Sequence, residues 1–306
     1  MNLEVKIGRL SLKNPVMTAS GTFGYGAEYS EFVDLNALGA LVVKGISLEP
    51  RQGNPTPRIY ETPCGMLNSI GLQNVGLRRF LSEKLPFLRK FNTPVIVNIL
   101  GDSIEEYLSL CQSLDPEVDA IELNVSCPNV KKGGISFATD RESLKELVGK
   151  VRDTLKKAIL IVKLSPVASN IAEMARLCEQ QGADAVSMIN TIPAMAIDIE
   201  TRRPRLANII GGLSGPAIKP IGVRMVWQTY QSVKIPIIGM GGIMTAEDAI
   251  EYILAGATCV AVGTANFVNP SATVEIIQGI KDYMIRNKIE NIKELIGGVV
   301  WEIRDR

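Results

Sequence analysis

Eight short apolar runs recur along this chain, each followed by a segment with helical spacing, and that alternation restricts the fold more than any other feature. The runs are Val16–Ala19, Ala40–Val43, Val95–Ile99, Ala120–Asn124, Ile159–Leu164, Ala185–Asn190, Ile235–Gly239 and Cys259–Val262. Their hydrophobicity is continuous rather than alternating, which suits parallel strands buried on both faces. Between them, Thr139-Asp-Arg-Glu142 predicts a capped helix start running to about Lys157. Asn170-Ile-Ala-Glu173 predicts another, stopped by Gly182, and Thr245-Ala-Glu-Asp248 a third, closed by Gly256. Eight such βα units predict an α/β fold of the (β/α)8 TIM-barrel type rather than an open doubly wound sheet.

Residues 3–14 alternate weakly around a glycine turn and predict a short N-terminal hairpin. The longest stretch without helical spacing, Leu48–Gly76, follows the second strand and is dense in Pro, Gly and Asn. It is expected to be an inserted loop region serving as a lid or substrate wall. No linker or low-complexity run divides the 306 residues, so residues 1–306 are expected to form one domain.

In such a barrel the working face is the C-terminal end of the strands. Reading the runs there gives Lys44, Asn98, Asn124, Lys163 and Asn190. Singly, a strand-end lysine can snorkel to solvent and a strand-end asparagine can bond nearby backbone. Three amides and two lysines together point to a site for a flat ring edged with C=O and N–H groups, with positive charge where an anion or a reduced ring needs it. Paired carboxylates for glycoside hydrolysis and an oxygen-rich nest for a catalytic divalent metal are both missing from this lining, and no metal is expected. Glu122 shares a strand face with Asn124. Its expected place is inside the barrel, paired with a lysine in a structural part.

The last two strands end in glycines, Gly239-Met-Gly-Gly242 and Gly263-Thr264, and Gly211-Gly-Leu-Ser-Gly215 follows the sixth. Such glycines serve either as tight turns or as places where backbone N–H groups approach a phosphate, the recurrent anion site of these barrels. None forms G-x-G-x-x-G, so a Rossmann dinucleotide site is unsupported. A phosphate anchor beside an amide-and-lysine pocket fits flavin mononucleotide (FMN), with the lysines facing the end of the ring that gains charge on reduction.

The fourth run leads into N-V-S-C-P-N-V (124–130). A lone cysteine is most often a small buried hydrophobe, but Cys127 could equally be a nucleophile, a metal ligand or a base. The chain contains no histidine, which excludes Ser-His and Cys-His relays and histidine-held zinc. Proton transfer falls to Cys, Lys, Tyr or a carboxylate. The five cysteines are dispersed with no C-x-x-C, against a disulfide scaffold or a thiolate cluster. With 33 Lys+Arg against 32 Asp+Glu, no charge excess draws the chain to nucleic acid. No apolar run reaches 18 residues and no signal-type start is present, so a cytoplasmic protein away from the membrane is expected.

Several stretches carry a family resemblance: A-S-G-T-F-G-Y-G (19–26), G-N-P-T-P-R (53–58), G-M-L-N-S-I-G-L-Q-N (65–74), N-V-S-C-P-N-V-K-K-G-G (124–134), M-I-N-T (188–191), G-G-L-S-G-P-A-I-K-P (211–220), I-I-G-M-G-G (237–242) and G-T-A-N-F (263–267). The chain resembles the catalytic subunit of the class 1B dihydroorotate dehydrogenases, the NAD-linked, FMN-containing type. The resemblance implies oxidation of (S)-dihydroorotate to orotate in de novo pyrimidine (UMP) biosynthesis. Cys127 would take the C5 proton while C6 gives hydride to flavin N5. It implies FMN contacts at Ser20, Lys44, Gly45, Asn98, Asn124, Lys163, Ile189, Gly215, Gly241, Gly242, Gly263 and Thr264. Substrate contacts are implied at Lys44, Asn68, Ser69, Ile70, Gly71, Leu72, Asn124, Asn190 and Thr191.

A partner is also implied: a separate iron–sulfur electron-transfer flavoprotein subunit carrying FAD and a [2Fe–2S] cluster, in a heterotetramer of two catalytic and two electron-transfer subunits. Membrane-associated class 2 enzymes carry an N-terminal extension and a serine base, which this chain does not match. Three further readings stand beside class 1B. They are a fumarate-dependent class 1A enzyme, a dihydropyrimidine dehydrogenase-like flavoenzyme with a similar cysteine loop, and a non-catalytic barrel that binds a phosphorylated ligand.

Overall fold

The computed structural model describes residues 1–125, 137, 139–168 and 170–300. Eight parallel strands form one sheet: β1 Val16–Thr18, β2 Leu41–Ile46, β3 Val95–Ile99, β4 Ala120–Asn124, β5 Ile159–Lys163, β6 Ala185–Met188, β7 Ile237–Met240 and β8 Cys259–Val262. Each strand neighbours the next in sequence, and β8 returns to β1. The last gap, between β1 and β2, is closed partly by a side chain. A parallel bridge joins Met17 to Ala40, and Thr18 Oγ1 both donates to the Val42 carbonyl and accepts from its amide, each at 2.9 Å. This is the expected (β/α)8 barrel. Apart from Lys44, Gly45 and Asn124 at the rim, the strand residues are buried because both faces are covered, which is why their sequences run apolar without alternation.

The helices start where side chains satisfy the first free amides. Ser103, Asp140 and Asn170 accept from the amides of Glu106, Ser143 and Glu173. The helix expected to open at Thr245 does so, with Thr245 and Asp248 in a reciprocal capping box. Several bounds differ from expectation by one to three residues, among them the second strand, which runs on to Ile46, and the seventh, which starts at Ile237. The helix after β4 spans Arg141–Thr154 and is capped by Asp140, not Thr139, because the Asp140 carboxylate reaches the Ser143 amide at 2.8 Å. From β1 to β2 the connection is two 3₁₀ turns, Ala27–Tyr29 and Leu35–Ala37, in place of an α-helix.

The N-terminal hairpin, Val5–Ile7 against Leu10–Leu12, is present as expected. Its turn at Gly8 lies against Ile159 and Asp184, at the start of β5 and just before β6, so it closes the end of the barrel opposite the strand C-termini. Val5, Ile7 and Leu12 are fully buried there, each worth roughly 1.5–3 kcal/mol of apolar burial.

The insertion after β2 is more ordered than a loop. Ile59–Thr62 and Gly65–Asn68 form a hairpin whose second strand pairs with Gly211–Ser214, which in turn pairs with Ile192–Ala194. This four-stranded antiparallel sheet takes strands from the connections after β2 and after β6 and forms a roof at the strand C-termini. The pairing of Gly65–Asn68 with Gly211–Ser214 spans more than a hundred positions, and half-exposed segments that pair so far apart leave no local strand signal. No helix among the described residues is long and apolar enough to cross a membrane.

Candidate active site

A cavity of about 710 Å³ opens between the C-terminal ends of the barrel strands and the roof sheet. Every expected site residue within the described chain lines it. Ser20 follows β1, and Lys44 and Gly45 sit on β2 where its register with β3 shifts between Val43 and Ile46. Such an irregularity re-aims side chains at a barrel rim. Asn98, Asn124 and Lys163 come from β3, β4 and β5, and Ile189, Asn190 and Thr191 follow β6. Asn68, Ser69, Ile70, Gly71 and Leu72 descend from the roof hairpin, while Gly215, Gly241, Gly242, Gly263 and Thr264 form a glycine-rich wall. Cys127 lies outside the described residues. The chain leaves the described part just after Asn124, which lines the cavity.

The expected glycine anchor is narrower than 239–242. Gly239 sits within β7, and a Cβ there would meet the Tyr252 ring, so it serves packing; Met240, Gly241 and Gly242 reach the cavity. Thr264 Oγ1 donates to Ser214 Oγ at 2.8 Å, tying the end of β8 to the roof.

The amides present different faces because their other ends are committed. Asn190 Oδ1 accepts from the Thr191 amide at 2.8 Å, leaving its NH₂ for a ligand. Asn68 Nδ2 donates to the Gly212 carbonyl and Asn98 Nδ2 to Glu122, so both offer carbonyl oxygens. Asn98 Oδ1 and Ser69 Oγ are buried and have no hydrogen-bond partner among the described residues. A donor and acceptor left over in a cavity wall is what a heterocycle edged with C=O and N–H would satisfy. These residues therefore fit a flavin ring, and the glycine wall fits its phosphate.

Glu122 enters the barrel beneath the cavity and pairs with a lysine, as expected. Its Oε2 lies 3.8 Å from Lys163 Nζ, both groups being nearly sealed from solvent. Among the described residues no cluster of His, Cys, Asp or Glu could hold a metal ion.

Lys44 is half-buried, and burial pushes its pKa below the ordinary lysine value. The neighbouring Arg58 charge adds to the lowering, while Glu28 partly opposes it.

Sequence reading did not single out Arg58, Asn54, Ser165 or Ser214 as site residues, yet all four line the cavity. Arg58 is braced by Gln73 Oε1 at 2.6 Å and the Asn54 carbonyl at 3.3 Å. Arg58 and Asn54 fall inside the quoted 53–58 stretch, but only the folded insertion turns them inward.

Comparison with known proteins agrees with this geometry. Residues 2–284 match the family model described as dihydroorotate dehydrogenase. Three similar proteins bear the name "Dihydroorotate dehydrogenase B (NAD(+)), catalytic subunit". The one from Thermodesulfovibrio yellowstonii is 60% identical over 96% of this chain and 98% of its own. That from Geotalea uraniireducens is 58% identical over 98% of each chain. That from Thermoanaerobacter pseudethanolicus is 57% identical over 98% of this chain and 99% of its own. A match that spans nearly the whole barrel, including every wall of the cavity, is a match of the enzyme and not of the fold alone: this chain belongs to the dihydroorotate dehydrogenase family.

Proposed function

We propose that this chain is the catalytic subunit of a class 1B enzyme, oxidising (S)-dihydroorotate to orotate in the cytoplasm for de novo pyrimidine synthesis. The observation that carries the reading is convergence: residues scattered from Ser20 to Thr264 line one cavity at the strand C-termini. FMN would be held by Ser20, Lys44, Gly45, Asn98, Asn124, Lys163, Ile189, Gly215, Gly241, Gly242, Gly263 and Thr264. When bound, it supplies the hydride acceptor.

The chain's own residues do the rest. Lys44, Asn68–Leu72, Asn124, Asn190 and Thr191 would hold the substrate, with Lys44 offering a cation to its carboxylate and the amides matching its C=O and N–H edges. The roof sheet covers the cavity and keeps water from the reacting carbons. Cys127 would take the C5 proton, and Lys163 would sit where negative charge grows on reduction.

Electrons leave through a partner in this reading. An iron–sulfur flavoprotein subunit with FAD and a [2Fe–2S] cluster would pass them to NAD, in an assembly of two copies of each chain. The test is anaerobic mixing of the purified chain with dihydroorotate. The oxidised flavin spectrum should bleach, and an artificial acceptor should restore it, with no NADH formed until the partner is added. Colourless protein would overturn the flavin reading. Robust fumarate reduction by the lone chain would overturn the class, and NADH formed without a partner would overturn the missing subunit.

Lys44 adds a pH dependence. An anionic substrate needs the ammonium, so binding should weaken as pH rises through the lowered Lys44 pKa, below the ~10.4 of an ordinary lysine. Lys44→Met should raise the dissociation constant for orotate by about 10–100-fold, the worth of a charged hydrogen bond, and abolish that pH dependence. The stability sign is opposite. A lysine whose folded pKa is depressed disfavours the folded state at pH below that pKa, and the penalty is relieved as pH rises. The ligand-free Lys44→Met protein should therefore melt higher at neutral pH. Orotate titrations and melting curves across pH check both.

A further inference from the structure

Beneath the cavity lies a buried carboxylate to which the reaction above gives no part. Glu122, on β4, is 2% exposed. It accepts from Asn98 Nδ2 at 2.6 Å and from Ser187 Oγ at 2.7 Å, and stands 3.8 Å from Lys163 Nζ. Its partners come from β3, β6 and β5, and the strand registers set them side by side, Asn98 opposite Glu122 and Ser187 opposite Lys163. Barrel interiors are ordinarily filled by branched apolar side chains. A buried ion pair is weak evidence for stability, since desolvation offsets its attraction. A carboxylate retained there calls for another account.

The chemistry of the group supplies one. An ionised carboxylate only accepts, so Asn98 must turn its NH₂ toward Glu122 and its carbonyl the other way. That carbonyl oxygen, Asn98 Oδ1, is buried and has no hydrogen-bond partner among the described residues. A Cβ on Gly45 would stand 2.8 Å from it, so any side chain at 45 would crowd the oxygen out of its place. Asn98, Gly45 and Lys163 all line the cavity, while Glu122 does not.

We propose that Glu122 is a positioning residue for the flavin site. Through Asn98 it fixes which end of the amide faces the ligand, and through Lys163 it offsets part of the positive charge beneath the ring. This rests on the flavin reading of the cavity. Glu122→Gln keeps the shape and removes the charge. With the negative charge facing Lys163 removed, the site should then favour the reduced, more negative flavin over the oxidised one by about tenfold, a midpoint potential about 30 mV higher for a two-electron couple. A glutamine amide can donate as well as accept, so Asn98 loses its fixed orientation. Oxidised FMN should bind the apoprotein several-fold more weakly.

The measurements are anaerobic potentiometric titration against a reference dye and FMN fluorescence quenching on adding apoprotein. Ser187→Ala is the second arm. It leaves the charge and deletes only the hydroxyl that holds Oε1, so FMN affinity should fall a few-fold with the potential unmoved. A parent potential in Glu122→Gln, even with a lowered melting temperature, would mean a merely structural carboxylate and overturn the proposal. Should Glu122→Gln not fold, parent FMN affinity in Ser187→Ala overturns it alone. A parent protein that binds no FMN would instead sink the flavin reading itself, and this inference with it.

Discussion

Cys127→Ser is expected to slow flavin reduction by dihydroorotate by about 10²–10⁴-fold, the usual worth of a positioned base, with flavin content unchanged. The expectation starts from elimination. The chain has no histidine, and the proposal above gives the cavity lysines, Lys44 and Lys163, to substrate and flavin charge rather than to proton removal. The resemblance assigns the proton to this thiol. A free thiol titrates near ~8.5 and a serine hydroxyl is a far weaker acid. If the thiolate is the base, the reductive half-reaction of the parent should accelerate as pH rises through the thiol pKa. In the serine variant that rise should move beyond the accessible range. Stopped-flow reduction traces under anaerobic conditions, taken across pH, decide it; a serine variant that reduces flavin at the parent rate would remove Cys127 from the mechanism.

The second large effect is expected at Gly242. Its φ is 71°, a left-handed conformation that costs an ordinary residue about 1–2 kcal/mol. A Cβ there would stand 2.8 Å from the Gly215 carbonyl oxygen and 2.9 Å from the Lys219 amide. Both neighbours are backbone, so relief requires moving the Gly215 turn, itself part of the cavity wall. Gly242→Val should therefore purify with flavin depleted more than tenfold. Its far-ultraviolet circular dichroism should remain that of the parent, because the strands themselves are untouched. At Gly241 a Cβ would meet only the Ile218 side chain, at 3.2 Å, but its φ of 120° strains any residue that carries a Cβ, so Gly241→Ala should also lose flavin. Full flavin occupancy in Gly242→Val would count against the glycine wall as the phosphate anchor.

How much of this was legible in advance differs from element to element. Val95–Ile99, Ala120–Asn124 and Cys259–Val262 occupy the strand bounds read from the sequence, because strands buried on both faces carry an unbroken apolar signature. Helix starts were legible where a cap is chemically unambiguous, as at Asn170 and Thr245. They were less so where Thr139 and Asp140 compete as neighbours and geometry chooses the carboxylate. The cavity residues from Ser20 to Thr264 were legible through strand-end position and family resemblance together. Arg58 and Asn54 were not, since both belong to a segment whose course depends on pairing with strands far along the chain.

The sequence by itself determined the barrel, its working end and the kinds of group gathered there. Each of these follows from periodicity and from what stands at the end of each apolar run, both of which are local properties. Tertiary structure alone decided the rest. The roof sheet exists only because Gly65–Asn68 meets Gly211–Ser214, a pairing between half-exposed segments with no alternating pattern to announce it. The orientation of Asn98 exists only because the register of β3 and β4 sets it opposite Glu122. Register is a relation between strands, and a shift of one residue would turn the same side chains to the other face. For that reason the amides and lysines could be named from the chain, while the direction in which each one points could not.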